Sequence, residues 1–142
     1  MTEYIGYPTV IPGVSLASDR LSGVIATPAK AQNPIDIFPD MLAHGFEKTV
    51  MGILGALLDD DGVHGIMLIS FAAFGVEMYH PIVELIHAQK SKPLFVTLLG
   101  AQEDVRITGD YLLDQRIPFF PFPEMGVRVF SHMWQYARRS KQ

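Results

Sequence analysis

The chain has 142 residues, of which 49% are hydrophobic and 18% are charged, and its formal net charge is −4. This length suits one domain built around a single core. The low charged fraction predicts that a partner or another domain covers part of the surface. The basic residues cluster only at Arg138–Lys141, which favours a solvated helix end over a nucleic-acid interface.

The sequence contains no cysteine, which excludes disulfides, thiolate metal sites and cysteine nucleophiles in this chain. It has no apolar run of the roughly 18 residues that span a bilayer. Its N-terminus lacks the basic and then apolar pattern of a signal peptide. We therefore expect a cytoplasmic protein whose partners are neither membranes nor nucleic acid.

Two regions differ in their pattern. Residues 1–40 are punctuated by proline and glycine, which predicts an extended arm or the remnant of a larger domain. Residues 41–142 carry the periodic apolar patterns of an α/β domain. The most structured part of the arm is Asn33–Ile37, where the side chains of Asn33 and Asp36 can accept hydrogen bonds from nearby backbone N–H groups.

From Ala43 onward, apolar residues at helical spacing predict a first helix that ends at Asp59–Gly62, and its apolar face consists of Phe46, Val50, Ile53, Leu54, Leu57 and Leu58. Gly52 and Gly55 indicate close packing of this helix against a sheet. Asp59–Gly62 is predicted to be an exposed turn, because a metal loop would need further oxygen ligands at regular spacing.

The remaining elements alternate between strand and helix. The first is a strand over Val63–Ser70, followed by a loop over Phe71–Met78, a helix from about Tyr79 to Lys90 and a strand over Leu94–Leu99. A helix over Glu103–Gln115 comes next, with Val105, Leu112 and Leu113 inward, and then a short edge strand over Arg116–Phe120. The last helix begins at Pro123 and has Val127, Phe130, Met133, Trp134 and Ala137 on one face.

This alternation predicts an α/β fold with three layers, in which a mainly parallel sheet has helices on both faces. The sheet is expected to be incomplete at the N-terminal side, because only three strands are predicted. Ligands of such sheets bind at the carboxyl ends of the strands. We therefore expect function at Ser70–Gly75, Leu99–Gln102 and Asn33–Asp40, and partner binding or dimerisation at the unpaired sheet edge.

The order of the motifs resembles one known family, the NDP-forming acyl-CoA synthetases of the succinyl-CoA synthetase superfamily. The similarity is to their flavodoxin-like, Rossmann-like ligase domain and spans about Ala31–Arg138. The motifs are Asn33–Asp36, a helix ending at Asp59-Asp60, the strand Val63–Ser70, Lys92-Pro93 before a strand that ends at Gly100, Gln115–Phe120, and Phe122–Val127.

The resemblance implies a role in a three-step reaction. An acyl-CoA and phosphate give an acyl phosphate, the phosphoryl group moves to a histidine, and it then moves to ADP or GDP on an ATP-grasp domain. The domain resembled here aims a helix N-terminus at the phosphate. The implied phosphate or partner site comprises Asn33, Asp36, Ala72, Ala73, Phe74, Gly75, Glu77 and Gly100, with no catalytic or metal-binding residue in this chain.

The chain also departs from the family pattern. Ala72 and Ala73 stand where succinyl-type relatives carry paired glycines. The phosphohistidine motif, the CoA-binding domain, the ATP-grasp domain and the first strand of the ligase domain are missing. We therefore expect a component of an acid–CoA ligase that is inactive alone and works in a homo- or hetero-oligomer with ATP-grasp and CoA-binding partners. It would bind no cofactor by itself, and CoA, nucleotide and Mg would lie on the partner domains.

Two alternatives remain open. The first is a non-catalytic interaction or assembly module derived from this fold. The second is an unrelated regulatory domain such as a phospho-receiver, which is disfavoured because Ser70 stands where the acceptor aspartate would be and Lys92-Pro93 precedes its strand.

Single residues give weaker signals. His64, His80, His87 and His132 lack metal-ligand spacing with a third ligand, and Ser70 lacks the glycine pattern of a nucleophile elbow. Glu77 is a solvated loop carboxylate or a group that reaches a partner's phosphohistidine. The aromatic cluster of Phe119, Phe120 and Phe122 is expected to pack in the core or at an interface.

Overall fold

The computed structural model describes residues 35–89 and 92–140. The chain divides into two compact units, Met1–Val63 and His64–Gln142. Asn33 and most of the predicted arm lie outside the described residues, and the domain boundary at residue 40 stays a prediction.

The first unit contains two helices. Helix α1 spans Phe38–His44 and helix α2 spans Phe46–Leu58, joined at Gly45, whose φ of 88° is a conformation that favours glycine. The hydroxyl of Thr49 donates a buried hydrogen bond of 3.2 Å to the carbonyl oxygen of Asp40 and so ties the two helices together. The predicted helix is confirmed, and α2 ends where Asp59 was predicted to end it. Helix α1 was not predicted, because Pro39 suggested extended chain although proline is well accommodated in a first helical turn.

The second unit is built on a parallel sheet. Its three strands are β1 (Ile66–Phe71), β2 (Leu94–Leu99) and β3 (Phe119–Phe120), in the order β1-β2-β3. Both pairs are parallel, which confirms the α/β class and the parallel sheet. The bounds of β2 are as predicted. Strand β3 is shorter than predicted because Pro118, just before it, has no N–H to donate.

Helical segments connect the strands. Two 3₁₀ turns, Ala72–Phe74 and Val76–Tyr79, lead from β1 into helix α3 (His80–Gln89). Helix α4 (Gln102–Asp114) follows β2, and helix α5 (Pro123–Arg139) follows β3. The helix that was predicted to begin near Tyr79 therefore begins one residue later, and the predicted loop before it contains both 3₁₀ turns.

Helices α4 and α5 lie on opposite faces of this sheet. A Cβ atom built on Gly109 of α4 would stand 2.7 Å from the ring of Phe119, and one built on Gly126 of α5 would stand 3.2 Å from the ring of Phe120. Because neighbouring strand residues point to opposite faces, these two contacts place the helices on opposite sides. Both glycines allow a close approach of helix to sheet.

Leu113, which was predicted to point inward, is 53% exposed, so that prediction is wrong. Val127, Met133 and Trp134, which were predicted to share one face of α5, are 40%, 48% and 39% exposed. Helix α5 contacts the sheet mainly through Gly126 and Phe130, so an apolar arc wider than the contact leaves its flanks uncovered. A Cβ on Gly55 would meet nothing within 4 Å, which contradicts its predicted role in close packing. Phe122 is 64% exposed and does not belong to the core.

Candidate functional site

A buried tyrosine fixes the loop at the carboxyl end of β1. Tyr79 is fully buried, and its hydroxyl lies 3.0 Å from Oγ of Ser70 and 3.1 Å from the carbonyl oxygen of Phe71. The hydroxyl donates its one hydrogen to either of these two oxygens, which ties the second 3₁₀ turn back to the strand. Burial raises the pKa of Tyr79 above 10.0, and the hydrogen bond with Ser70 partly offsets that rise. Ser70 is itself buried, so its hydroxyl serves the loop rather than facing a substrate.

The turn after β1 meets the turn after β2. Gly100 has a φ of 148°, and a Cβ atom built on it would stand 3.6 Å from Cβ of Ala72 and 3.8 Å from the backbone nitrogens of both Ala72 and Ala73. Three of the predicted site residues are therefore neighbours. Gly75, with a φ of 80°, ends the first 3₁₀ turn, where an L side chain would be strained.

Helix α4 begins immediately beyond Gly100. Its N-cap, Ala101, makes no side-chain capping bond, and the first main-chain bond to it comes from the N–H of Val105. A helix N-terminus of this kind attracts anions through its N–H groups and its dipole. Helix dipole and strand turns thus converge at one end of the sheet.

The side-chain charges at this end are acidic. Glu103 and Asp104 occupy the first turn of α4. The single basic residue of α4, Arg106, forms ion pairs of 2.6 Å with Glu103 and 3.3 Å with Asp110. The hydrogen bond and charge of Arg106 hold the pKa of Glu103 below its usual value. Favourable interactions with an anion would therefore have to come from backbone N–H groups or from a partner.

Glu77 and Phe74 complete the turn. Oε2 of Glu77 lies 3.0 Å from the position that a Cβ on Gly75 would take, so this exposed carboxylate folds over the glycine. The ring of Phe74 contacts that of Phe71 edge to face, with centroids 5.9 Å apart.

An uncovered apolar platform adjoins the turn. We define it as the four residues Ile69, Phe71, Phe74 and Leu99, which are 37–48% exposed. Phe71 and Leu99 are register partners on neighbouring strands. Because Ile69 and Phe71 are two residues apart on β1, they share one face of the sheet. The platform could not be located from the sequence, because period-2 alternation shows that residues share a face but not what covers it.

The structure thus brings six of the eight predicted site residues to the carboxyl ends of β1 and β2, namely Ala72, Ala73, Phe74, Gly75, Glu77 and Gly100. Asp36 belongs to the other unit, where its Oδ1 accepts a 3.1 Å hydrogen bond from the N–H of Phe38 at the start of α1. The bond between Tyr79 and Ser70 was missed, since no local pattern announces a contact between a strand and the loop after it.

Among residues 35–89 and 92–140, no group of three or more His, Cys, Asp or Glu side chains could hold a metal ion. Over the same residues, no helix is both long and apolar enough to cross a membrane. No protein-family model matches the chain, and no solved structure matches it.

Proposed function

We propose that this chain is a component of an NDP-forming acyl-CoA synthetase, in which it helps to form the site of a phosphohistidine on a partner. In this proposal the sheet is part of a flavodoxin-like domain, and the chain works in the cytoplasm. It is inactive alone, and CoA, nucleotide and Mg bind to ATP-grasp and CoA-binding partners.

One observation carries the proposal. Gly100, the backbone nitrogens of Ala72 and Ala73, and the start of α4 converge at the carboxyl ends of β1 and β2. Backbone N–H groups and a helix dipole at such a place suit a phosphoryl group, to which they contribute about 0.3–2 kcal/mol. The motifs from Asn33 to Val127 resemble those of the family in their order, and in that order the turn at Ala72 and Ala73 corresponds to the family's phosphate-binding turn.

The acidic side chains define what this chain would leave to its partners. Glu77, Glu103 and Asp104 lie in the turn or in the first turn of α4, and Arg106 is engaged by Glu103. The chain would therefore supply orientation through its backbone, while the cationic groups that neutralise the phosphoryl oxygens would come from the partner.

A specific observation favours the interaction module as a second candidate. Alanines replace glycines at the turn, and Cβ of Ala72 lies next to Gly100. These methyl groups hinder the backbone from approaching a phosphate closely. In this second reading the turn and the apolar platform serve only to dock partner chains.

The first test is to purify the tagged full chain from its source cells and to identify the chains that co-purify. The recovered complex is then incubated with acetyl-CoA and radiolabelled phosphate. The ligase proposal predicts an ATP-grasp chain and a CoA-binding chain in the complex. It also predicts acid-labile label on a partner histidine, discharged as labelled nucleoside triphosphate when ADP or GDP is added.

Two substitutions at one exposed position test the turn itself. Ala73→Asp places a fixed carboxylate beside the phosphoryl group and should reduce histidine labelling at least about tenfold, whereas Ala73→Gly should retain it. Normal labelling with Ala73→Asp would show that the turn does not face the phosphoryl group. Recovery of unrelated partners, or of the chain alone, would remove the ligase assignment. Recovery of unrelated partners would favour the interaction module.

A further inference from the structure

Strand β1 forms one edge of the described sheet and directs backbone groups outward. Among the three described strands, only β2 pairs with β1. The N–H of Ile66 donates to the carbonyl oxygen of Pro93, just before β2, at 2.9 Å. Because the backbone groups of successive residues alternate between the two sides of a strand, Met67 and Ile69 direct their N–H and C=O groups to the outer edge, as Phe71 does its N–H.

This edge carries none of the residues that commonly prevent strands from pairing. Ile66–Phe71 contains neither proline nor a charged residue, although both kinds protect the edges of many sheets. Ile69 and Phe71 share one face and are 48% and 43% exposed. An apolar, uncharged edge of this kind suits the addition of another strand through main-chain hydrogen bonds.

The other edge of the described sheet is poorly suited to pair with β1. Strand β3 consists only of Phe119 and Phe120, and Pro118 before it has no N–H to donate. Of the two edges that a copy of the described sheet presents, β1 is therefore the one that can supply a full strand. Pairing of β1 with β1 uses the same edge of both copies.

We propose that two copies of the chain form a dimer in which β1 pairs antiparallel with β1 of the second copy. The contact is isologous, with a twofold axis perpendicular to the sheet, and it joins the two described sheets into one of about six strands. The association goes beyond the proposed ligase function, because it involves no other kind of chain.

The outward backbone groups determine the hydrogen bonds of this contact. With the axis at Ile69, that residue lies opposite Ile69 of the second copy, and the two exchange both of their N–H···O bonds. The N–H of Phe71 in each copy donates to the carbonyl oxygen of Met67 in the other. The carbonyl oxygen of Phe71 retains its 3.1 Å contact with the hydroxyl of Tyr79.

The exposed side chains favour this register over its neighbour. Residues opposite each other in an antiparallel pair lie on the same face and contact each other. With the axis at Ile69, Phe71 lies opposite Met67 of the second copy. With the axis at Leu68, Phe71 would lie opposite Gly65, which has no side chain to contact the ring. The first register covers apolar side chains of both copies with apolar partners.

Sedimentation velocity of the purified full chain tests the association. The average mass should rise with concentration and level off at that of two chains, because an isologous contact closes. At about 1 M salt the association should persist, since no charged side chain of β1 contributes to it. A chain that is monomeric at every concentration, or whose mass continues to rise beyond the dimer, would overturn the proposal.

A single cysteine tests the register, since the chain has no thiol of its own. In Ile69→Cys the two Cα atoms would lie about 5.5 Å apart, within the range of about 4.4–6.8 Å that a disulfide spans. Mild oxidation should therefore convert most of the dimer to a covalent dimer. Phe71→Cys is the matched control on the same face, with Cα atoms about 14 Å apart, and should cross-link at least about tenfold more slowly.

A backbone variant tests the main-chain bonds. Ile69→Pro removes the outward N–H at the twofold axis, a change that edge strands tolerate, and should weaken the dimer at least about tenfold. Ile69→Val keeps the N–H and a β-branched side chain, so it should dimerise like the original chain. Circular dichroism and unfolding midpoints check that each variant folds.

Two results would refute β1 as the contact. One is cross-linking of Phe71→Cys as fast as that of Ile69→Cys, and the other is undiminished dimerisation of a folded Ile69→Pro chain. Should Ile69→Pro not fold, the pair of cysteine variants decides the question. The ligase proposal can fail separately, since it requires other chains and is read from histidine labelling.

Discussion

A single hydroxyl group fixes the shape of the loop at the candidate site. Tyr79 donates to the hydroxyl of Ser70 or to the carbonyl oxygen of Phe71, and both acceptors belong to the last two residues of β1 before the loop. Tyr79→Phe leaves buried Ser70 and the partly buried carbonyl of Phe71 without their donor, which should lower the free energy of unfolding by about 1–3 kcal/mol. Urea unfolding measures the loss.

Ser70→Ala is the control for that substitution. It removes one acceptor and leaves the hydroxyl of Tyr79 its bond to Phe71, so the loss should be smaller. A double-mutant cycle isolates the energy of the bond between Tyr79 and Ser70. If Tyr79→Phe were as stable as the original chain, the hydroxyl would not anchor the loop.

The same residue shapes the stability at alkaline pH. Burial raises the pKa of Tyr79 above its unfolded value of 10.0, so the neutral form is favoured in the folded state. Its contribution is fully present below pH 10 and is lost as the pH rises through the folded pKa. Tyr79→Phe should therefore flatten the fall of stability above pH 10 without abolishing it, because burial and the charge of Glu84 also raise the pKa of Tyr111.

The end of helix α4 shows how an element stops. The N–H of Arg116 donates to the carbonyl oxygen of Leu113, and that of Ile117 donates to the carbonyl oxygen of Leu112, both at 2.9 Å. These two bonds form a Schellman motif, in which the residue after the cap is left-handed and usually glycine. Here it is Arg116, with a φ of 60°.

Arg116→Gly should raise the free energy of unfolding by about 0.5–1 kcal/mol, because glycine adopts this conformation without a clash between Cβ and the backbone. Arg116→Ala keeps the Cβ and removes the charge, so it should give no such gain. Thermal unfolding compares the three chains. Equal stability of the glycine and alanine variants would show that backbone strain is not the cause.

Two helical glycines should respond to alanine in opposite ways. A Cβ on Gly55 of α2 meets nothing within 4 Å, whereas one on Gly109 of α4 would stand 2.7 Å from the ring of Phe119. Gly55→Ala should stabilise α2 by about 0.5–1 kcal/mol, and Gly109→Ala should destabilise α4 by about 1–3 kcal/mol. Amide hydrogen exchange measures the local stability of each helix and so determines the two effects separately. A stabilising Gly109→Ala would contradict the close packing of α4.

Apolar periodicity predicts elements better than it predicts their surroundings. It located both ends of β2 and the end of α2, because one continuous apolar run defines the strand and one apolar face defines the helix. It placed Leu113 on the inward side of its helix, although Leu113 is exposed. Gly109 and Gly126 are the points at which α4 and α5 approach the sheet most closely, and glycine carries no apolar signal.

At the scale of the whole molecule, the turns of the candidate site followed from topology. Parallel strands bring their carboxyl ends to one edge, so Ala72 and Gly100 had to be neighbours once β1 paired with β2. The exposure of the apolar platform did not follow, because alternation along a strand does not show which side chains another part of the chain covers. Within residues 35–89 and 92–140, no strand pairs with the outer edge of β1.

The platform makes the last prediction, which rests on the proposed ligase complex. Ile69 is 48% exposed on an edge strand of the described sheet, a position at which lysine is well tolerated. Ile69→Lys should change the free energy of unfolding by no more than about 0.5 kcal/mol. It should nevertheless reduce recovery of partner chains at least about tenfold, because a partner surface would have to bury an ammonium group. Leu42→Lys makes the same change at a residue of the other unit that is 75% exposed, and it should leave recovery unchanged. Undiminished recovery with Ile69→Lys would mean that the partner leaves the platform uncovered and docks elsewhere on the chain.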